Sequence, residues 1–168
     1  ELASSPAQRD DLINQSLAAL DRSIALDPEN AYAYTYRGYL RDSRAWDWAG
    51  AAADFEQAEA LDPNNALLRA FYSMNLFFWG KPSEGLAMAR KAAAIDSLSA
   101  GAWSNLGMLY FCANQNDDAR AALQRALDIQ PDSRWANYVM GLIELKDDNT
   151  DRALAHFRAA DESFRLTG

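Results

Sequence analysis

One interval constrains this chain more than any other feature. Projected backwards, Pro131 falls on Ser97, Pro63 and Pro28, at steps of 34, 34 and 35 residues. Two places earlier the residue is always apolar: Leu26, Leu61, Ile95 and Ile129. Two places later stand Asn30, Asn65, Ser99 and Ser133, whose side chains can accept from the free N–H groups of a first helical turn. A small residue keeps the same period as Ser23, Ala58, Ala92, Ala126 and Ala160. Proline stops a helix because it lacks the N–H donor, so each period reads as a helix pair closed by a stop and reopened by a cap. Self-similarity on this scale means stacked units that bury their apolar faces only against their neighbours.

The fourth period carries a more specific pattern. Trp103, Leu106, Gly107 and Tyr110 stand at W-x2-L-G-x2-Y spacing, followed by Ala119, Leu123, Ala126 and Pro131. This resembles the tetratricopeptide repeat, a helix–turn–helix unit of about 34 residues. The resemblance implies an all-α, right-handed α-α superhelix, a solenoid of about nine helices, and a scaffold that binds protein or peptide. In this register residues 1–10 are a lead-in and 11–168 a single solenoid. A lone helix at 11–28 precedes full repeats at 31–63, 66–97, 100–131 and 134–165. Gly38, Gly107 and Gly141 lie opposite Ala51, Ala119 and Ala153, where small residues let antiparallel helices approach closely.

Three departures are informative. The second repeat holds one extra residue, placed within Arg44–Gly50, where Asp47 is suited to cap the next helix with Trp46 packed back over the turn and Trp48 opening it. This W-D-W-A-G stretch and the following residues 54–64 are similar to tetratricopeptide segments of bacterial multidomain regulators. The third repeat has Ser73, Gly85, Ala89 and Ser97 where its neighbours carry glycine, alanine, a large apolar residue and proline, so it is predicted to be the least tightly packed. In the fifth repeat Asp161 and Ser163 replace Leu127 and Ile129, a polar outer face of the kind a terminal repeat needs, so the solenoid is expected to end there.

Composition bounds the partners. A formal charge of -8 argues against nucleic acid and anionic membrane, both of which reward clustered Lys and Arg. No apolar run is long enough to cross a membrane, and no signal peptide is visible. The compartment stays open, with the cytoplasm as the default expectation. No phosphate loop, metal-spaced cluster or nucleophile–base pair stands in the sequence, so no enzyme activity and no cofactor are expected. Cys112 reads as a small apolar helix residue and His156, the single histidine, as a surface residue.

The family resemblance also implies which positions of each first helix face the concave groove. Carried across, these are Tyr32, Thr35, Tyr36 and Tyr39, then Leu67, Ala70, Phe71, Met74 and Phe77. The fourth repeat contributes Gly101, Ser104, Asn105, Met108 and Phe111, and the fifth Trp135, Tyr138, Val139, Leu142 and Leu145. A groove so rich in aromatics suits an apolar or aromatic-bearing peptide, with an apolar small molecule or lipid as the alternative ligand. Capture of an acidic chaperone tail is excluded. Asn105 stands at the matching position, but Ala70, Met74, Trp135 and Val139 supply no cation around it. At the other end, Leu12, Ile13, Leu17, Leu20 and Ile24 form a stripe on a helix without its pair. That edge is expected to dock on another segment or on a second copy.

Overall fold

The structure, a computed structural model, describes residues 6–167, with side-chain surroundings from residue 7 to residue 162. Among these residues lie nine α-helices, one π-helical turn and no strand. They are α1 (Pro6–Leu26), α2 (Ala31–Leu40), the π turn (Arg41–Ala45), α3 (Trp48–Leu61), α4 (Ala66–Phe78), α5 (Pro82–Ile95), α6 (Ala100–Cys112), α7 (Asn116–Ile129), α8 (Arg134–Lys146) and α9 (Thr150–Thr167). Residues 6–10, expected in a lead-in, are the first turn of α1 instead; the rest of that lead-in lies outside the described residues. Contacts divide the chain into two compact units, one up to Tyr72 and one from Ser73, with the division inside α4.

The caps explain where the helices begin. Asn30 accepts from the Ala33 N–H at 3.0 Å, Asn65 from Leu68 at 2.9 Å and Ser99 from Ala102 at 3.2 Å. Asp47 does the same for α3, accepting from Gly50 at 2.9 Å. Each such bond contributes about 1 kcal/mol. Ser133 departs from this pattern: it makes no capping bond, and its buried hydroxyl lies 3.5 Å from that of Ser104.

A ruler invisible in the sequence marks where the first helices end. Trp46, Gly80, Asn114 and Asp148 all have positive φ and stand 34 residues apart. After three of them the next N–H reaches back five residues to close the turn: Lys81 to Leu76, Gln115 to Tyr110 and Asn149 to Glu144, each at 2.9 Å. In the second repeat Asp47 N–H reaches back six residues, to Arg41 at 2.9 Å. The extra residue is therefore absorbed in the π turn Arg41–Ala45, slightly earlier than expected. Trp46 does not staple the turn: Trp46 and Trp48 are 74% and 57% exposed. A left-handed conformation costs a side-chain-bearing residue about 1–2 kcal/mol, and Trp46 has none of the short polar side chain that eases it for asparagine and aspartate.

In the unit up to Tyr72, the buried Asp54 of α3 organises the charges. Arg37 donates to both its oxygens, at 2.6 and 2.9 Å, and Arg41 donates to one at 2.8 Å. Arg37 also reaches Asp21 of α1 at 2.7 Å, so one guanidinium joins three helices. Its pKa is raised, first by the bond to Asp54 and against the cost of burial. The apolar stripe of α1 is not left open: Ile13, Leu17, Leu20 and Ile24 are half-buried, while Leu12 and Leu26 remain exposed.

The unit from Ser73 holds two apolar clusters. One gathers Leu86, Ala89, Ala93, Ala102, Leu106, Leu109 and Ala122, with Trp103 and Tyr110 packed against it. The other gathers Ala119, Leu123, Ala126, Ala136, Val139, Met140 and Ile143. A Cβ on Gly107 would stand 2.5 Å from Leu123, and one on Gly141 2.5 Å from Phe157, so the glycines make room for the large residue of the paired helix. In the third repeat, expected to be the least tightly packed, the backbones of its two helices come close at Gly85. A Cβ on Gly85 would stand 2.6 Å from the Ser73 carbonyl oxygen and 2.8 Å from the Phe77 nitrogen. Ala89, where the neighbouring repeats carry a large apolar residue, is fully buried. At the far end Asp161 is exposed; Ser163 lies outside the described side chains.

Candidate functional site

The expected groove residues gather in separate groups. On α2, Tyr32, Tyr36 and Tyr39 recur at four- and three-residue steps and so share one helix face. Phe71 of α4 meets two of them, stacked on Tyr39 with ring centroids 4.6 Å apart and edge-on to Tyr36 at 6.1 Å. Tyr32 stays 58% exposed and Tyr36 44%. Offset stacking and edge-to-face contacts of this kind hold rings at fixed angles.

In the unit from Ser73, Met74 and Phe77 pack against the Leu86–Leu106 cluster, and Met108 and Phe111 against the Leu123–Ile143 cluster. Lys146 Nζ stands 5.8 Å from the centre of the Phe111 ring. Trp135 and Tyr138 stack at 5.6 Å, and Tyr138 meets Phe157 of α9 at 6.0 Å. These rings line an open hollow of about 550 Å³ bounded by Arg134, Ala160 and Asp161. Leu142 is half-buried. Asn105 donates to the Ser73 hydroxyl at 2.9 Å, so its amide is engaged within its own unit.

Three positions depart from the expected set. Thr35, Ser104 and Val139 are buried. The two hydroxyls donate to carbonyls one turn back, Thr35 to Ala31 at 2.8 Å and Ser104 to Ala100 at 2.7 Å, which satisfies them without a ligand.

A second, polar cluster lies elsewhere on the last three helices. Glu144, buried on α8, accepts from Arg120 of α7 at one oxygen and from Asn149 at the other, 3.0 Å away. Arg120 also donates to Asp147 at 2.5 Å. The bond from Arg120 holds the Glu144 carboxyl below its usual range, against burial, which pushes it up. His156 of α9 is half-buried rather than on the open surface, with Nδ1 3.0 Å from Asn137 Oδ1. Burial lowers its pKa; nearby Glu144 opposes that, and Arg152 and Arg120 add to it. One sequence signal points here: Asn137 and Glu144 stand one period after the Trp103 and Tyr110 of the W-x2-L-G-x2-Y pattern.

Comparison with known proteins supports the architecture. Residues 100–133 match the family model described as tetratricopeptide repeat. Anaphase-promoting complex subunit 3 of Schizosaccharomyces pombe is 24% identical over 147 residues, covering 88% of this chain and 17% of that protein. The chain thus spans about a sixth of that relative's length. PilW, a type IV pilus biogenesis factor, superposes with a TM-score of 0.79 at 22% identity, covering 95% of this chain and 74% of that one. YrrB, described as a TPR protein with an unusual peptide-binding site, gives a TM-score of 0.63 at 21% identity, covering 92% and 79%. At these identities the superpositions speak for the fold alone.

Proposed function

We propose, from the premise that this chain belongs with the tetratricopeptide repeat proteins, that it is a non-catalytic scaffold, each of whose two aromatic faces, one in either compact unit, is a site for a peptide segment of a partner protein. One observation carries the reading. Tyr32, Tyr36, Trp135 and Tyr138 keep 38–58% of their surface exposed at positions where the fold does not need them buried. Rigid aromatic anchors of this kind commonly dominate interface energy, and they lose little side-chain entropy on binding. In the unit up to Tyr72, Tyr39 and Phe71 would back Tyr32 and Tyr36; in the unit from Ser73, Met74, Phe77, Met108, Phe111 and Leu142 would be the apolar surroundings of Trp135 and Tyr138. A role inside a larger bacterial regulator fits the W-D-W-A-G stretch at the π turn.

The test is selection of peptides from a displayed library on the intact chain, followed by titration of the best binder. Replacing Tyr32 with Tyr36, or separately Trp135 with Tyr138, by Ser should weaken that binder by tenfold or more in one of the two variants while far-ultraviolet circular dichroism stays unchanged. Unchanged affinity in both would overturn the reading. The hollow beside Trp135 favours the second ligand class, since its volume falls within the range of small-molecule sites. Mass spectrometry of apolar compounds extracted from purified protein would show that class directly.

A further inference from the structure

The groove between α7 and α9, floored by α8, encloses about 460 Å³ and is lined by Arg120, Gln124, Met140, Glu144, Arg152 and His156. On α8 its residues Met140 and Glu144 are each two positions from Leu142, about 200° round the helix from it. This groove is therefore separate from the aromatic face.

One period earlier the same positions are apolar. Leu86, Trp103, Leu106, Tyr110 and Ala122 all belong to or pack on one cluster. Their counterparts 34 residues on are Arg120, Asn137, Met140, Glu144 and His156. Four of the five have become polar, and the groove they line stays open. Asn137 even keeps one bond of its predecessor: Trp103 donates to the Ser97 carbonyl at 3.1 Å, and Asn137 Nδ2 donates to the Pro131 carbonyl at 3.1 Å.

That bond, with a second to the Ser133 carbonyl at 3.1 Å, commits the Asn137 NH₂ as a donor and turns its Oδ1 toward His156. The imidazole must then carry its proton on Nδ1, which leaves Nε2 as the open atom. Nε2 has no hydrogen-bond partner among the described residues. Arg152, one helical turn away, makes no hydrogen bond to them either; its nearest acid oxygen is Glu144 Oε2 at 3.9 Å. Arg120, by contrast, is occupied by Glu144 and Asp147, and both Glu144 oxygens are taken.

We propose that this groove is a second binding site, taking a carboxylate between the Arg152 guanidinium and His156 Nε2, with one proton taken up on Nε2 as the carboxylate arrives. The planar Arg fork matches a carboxylate. A neutral Nε2 presents a lone pair to the same oxygen, so the contact becomes attractive only once the ring is protonated. The charged and polar groups facing the imidazole are Arg120 from α7, Asn137 and Glu144 from α8, and Arg152 from α9. Burial, with the two arginines and against Glu144, disfavours the protonated form of the empty ring; a bound carboxylate favours it. Binding therefore tightens as pH falls between the midpoints of the empty and the loaded ring, by up to about tenfold per pH unit.

His156 is the sole histidine, so its ring resonances report the site without assignment ambiguity. The intact chain is titrated with pH, alone and with glutarate or with the capped peptide acetyl-Gly-Glu-Gly-amide. The expected result is an upward shift of the His156 midpoint that R152Q abolishes, with R152Q folded as the parent. In calorimetry, H156Q should keep weak carboxylate binding but lose its pH dependence. Stronger binding of the peptide than of glutarate assigns the site to an acidic segment of a partner; the reverse order assigns it to a free carboxylic acid. Either order supports the proposal. An unmoved His156 midpoint with both carboxylates, or a shift that persists in R152Q, overturns it. Failure of the aromatic-face substitutions to affect peptide binding leaves this result unaltered, because none of those residues lines the groove.

Discussion

The helix pairs α6–α7 and α8–α9 are built to one plan and finished differently. Both have a glycine whose absent side chain admits a large residue, Leu123 beside Gly107 and Phe157 beside Gly141. Both close their first helix through a left-handed residue, Asn114 and Asp148. The difference lies at Trp103 and Tyr110, which pack on an apolar cluster, whereas Asn137 and Glu144 build a polar one. Trp103 and Tyr110 are half-buried there, so each contributes part of the ~1.5–3 kcal/mol of a fully buried large apolar side chain. A buried carboxylate contributes little net stability even when paired, but costs much when one partner is removed. The first pair therefore draws stability from this seam, and the second holds a constellation that is stable only when complete. A repeat fold can place polar chemistry in a seam between units provided every buried group finds its partner.

The largest test of that contrast is Glu144→Ala. It removes the buried acceptor shared by Arg120, which keeps Asp147, and Asn149, and should cost about 3 kcal/mol in denaturant unfolding, more than Tyr110→Ala at the matching position. Equal losses at both would mean that Glu144 is no more than a packing group. Next come the glycines. Gly107→Leu should destabilise by about 1–3 kcal/mol through overpacking. Gly141→Leu should cost less, because the atoms nearest a Cβ at Gly141 belong to the Phe157 ring, whereas at Gly107 the less yielding Ala119 carbonyl oxygen stands 3.3 Å away. Melting temperatures in the reverse order would show that the rings of the last pair are the more rigid.

The caps give a smaller contrast. Ser99→Ala should lose about 1 kcal/mol, because its oxygen accepts the Ala102 N–H. Ser133→Ala should lose less, since Ser133 makes no capping bond. The smallest effect is in pH. The folded pKa of His156 lies below its unfolded value, so between the two the unfolded chain binds more protons. Stability is fully present above the ordinary histidine pKa and declines as pH falls below it, down to the folded value. Glu144, depressed in the folded state, adds a further loss at lower pH, as it becomes protonated. Scanning calorimetry of the parent against His156→Gln should show the upper step vanish and the lower one stay.

Much of this was legible in the residues because the repeat writes the same signal several times. Pro131, Pro63 and Pro28 end helices, and Asn30, Asn65 and Ser99 start them, through local chemistry that needs no tertiary context. The same register assigned the groove positions, yet Thr35, Ser104 and Val139 are buried, because a small difference in helix rotation separates a groove position from a seam. His156 escaped the sequence reading for a different reason. Its partners Asn137 and Glu144 come from another helix, and no ligand spacing along the chain announces them. Reading the third repeat from side-chain volume alone left out the backbone approach that Gly85 permits.

The π turn at Arg41–Ala45 has a consequence for how such a chain can change over generations. One inserted residue in a continuous α-helix would rotate every later side chain by about 100°, exchanging seam for solvent. Here the surplus is taken up as a local widening, and the left-handed residues from Trp46 onward keep their 34-residue spacing. The turn works as a shim. A lineage carrying it can gain or lose a residue within one unit while every downstream unit keeps its phase. Drift in repeat length is then confined to the surface, at a turn that displays two exposed tryptophans.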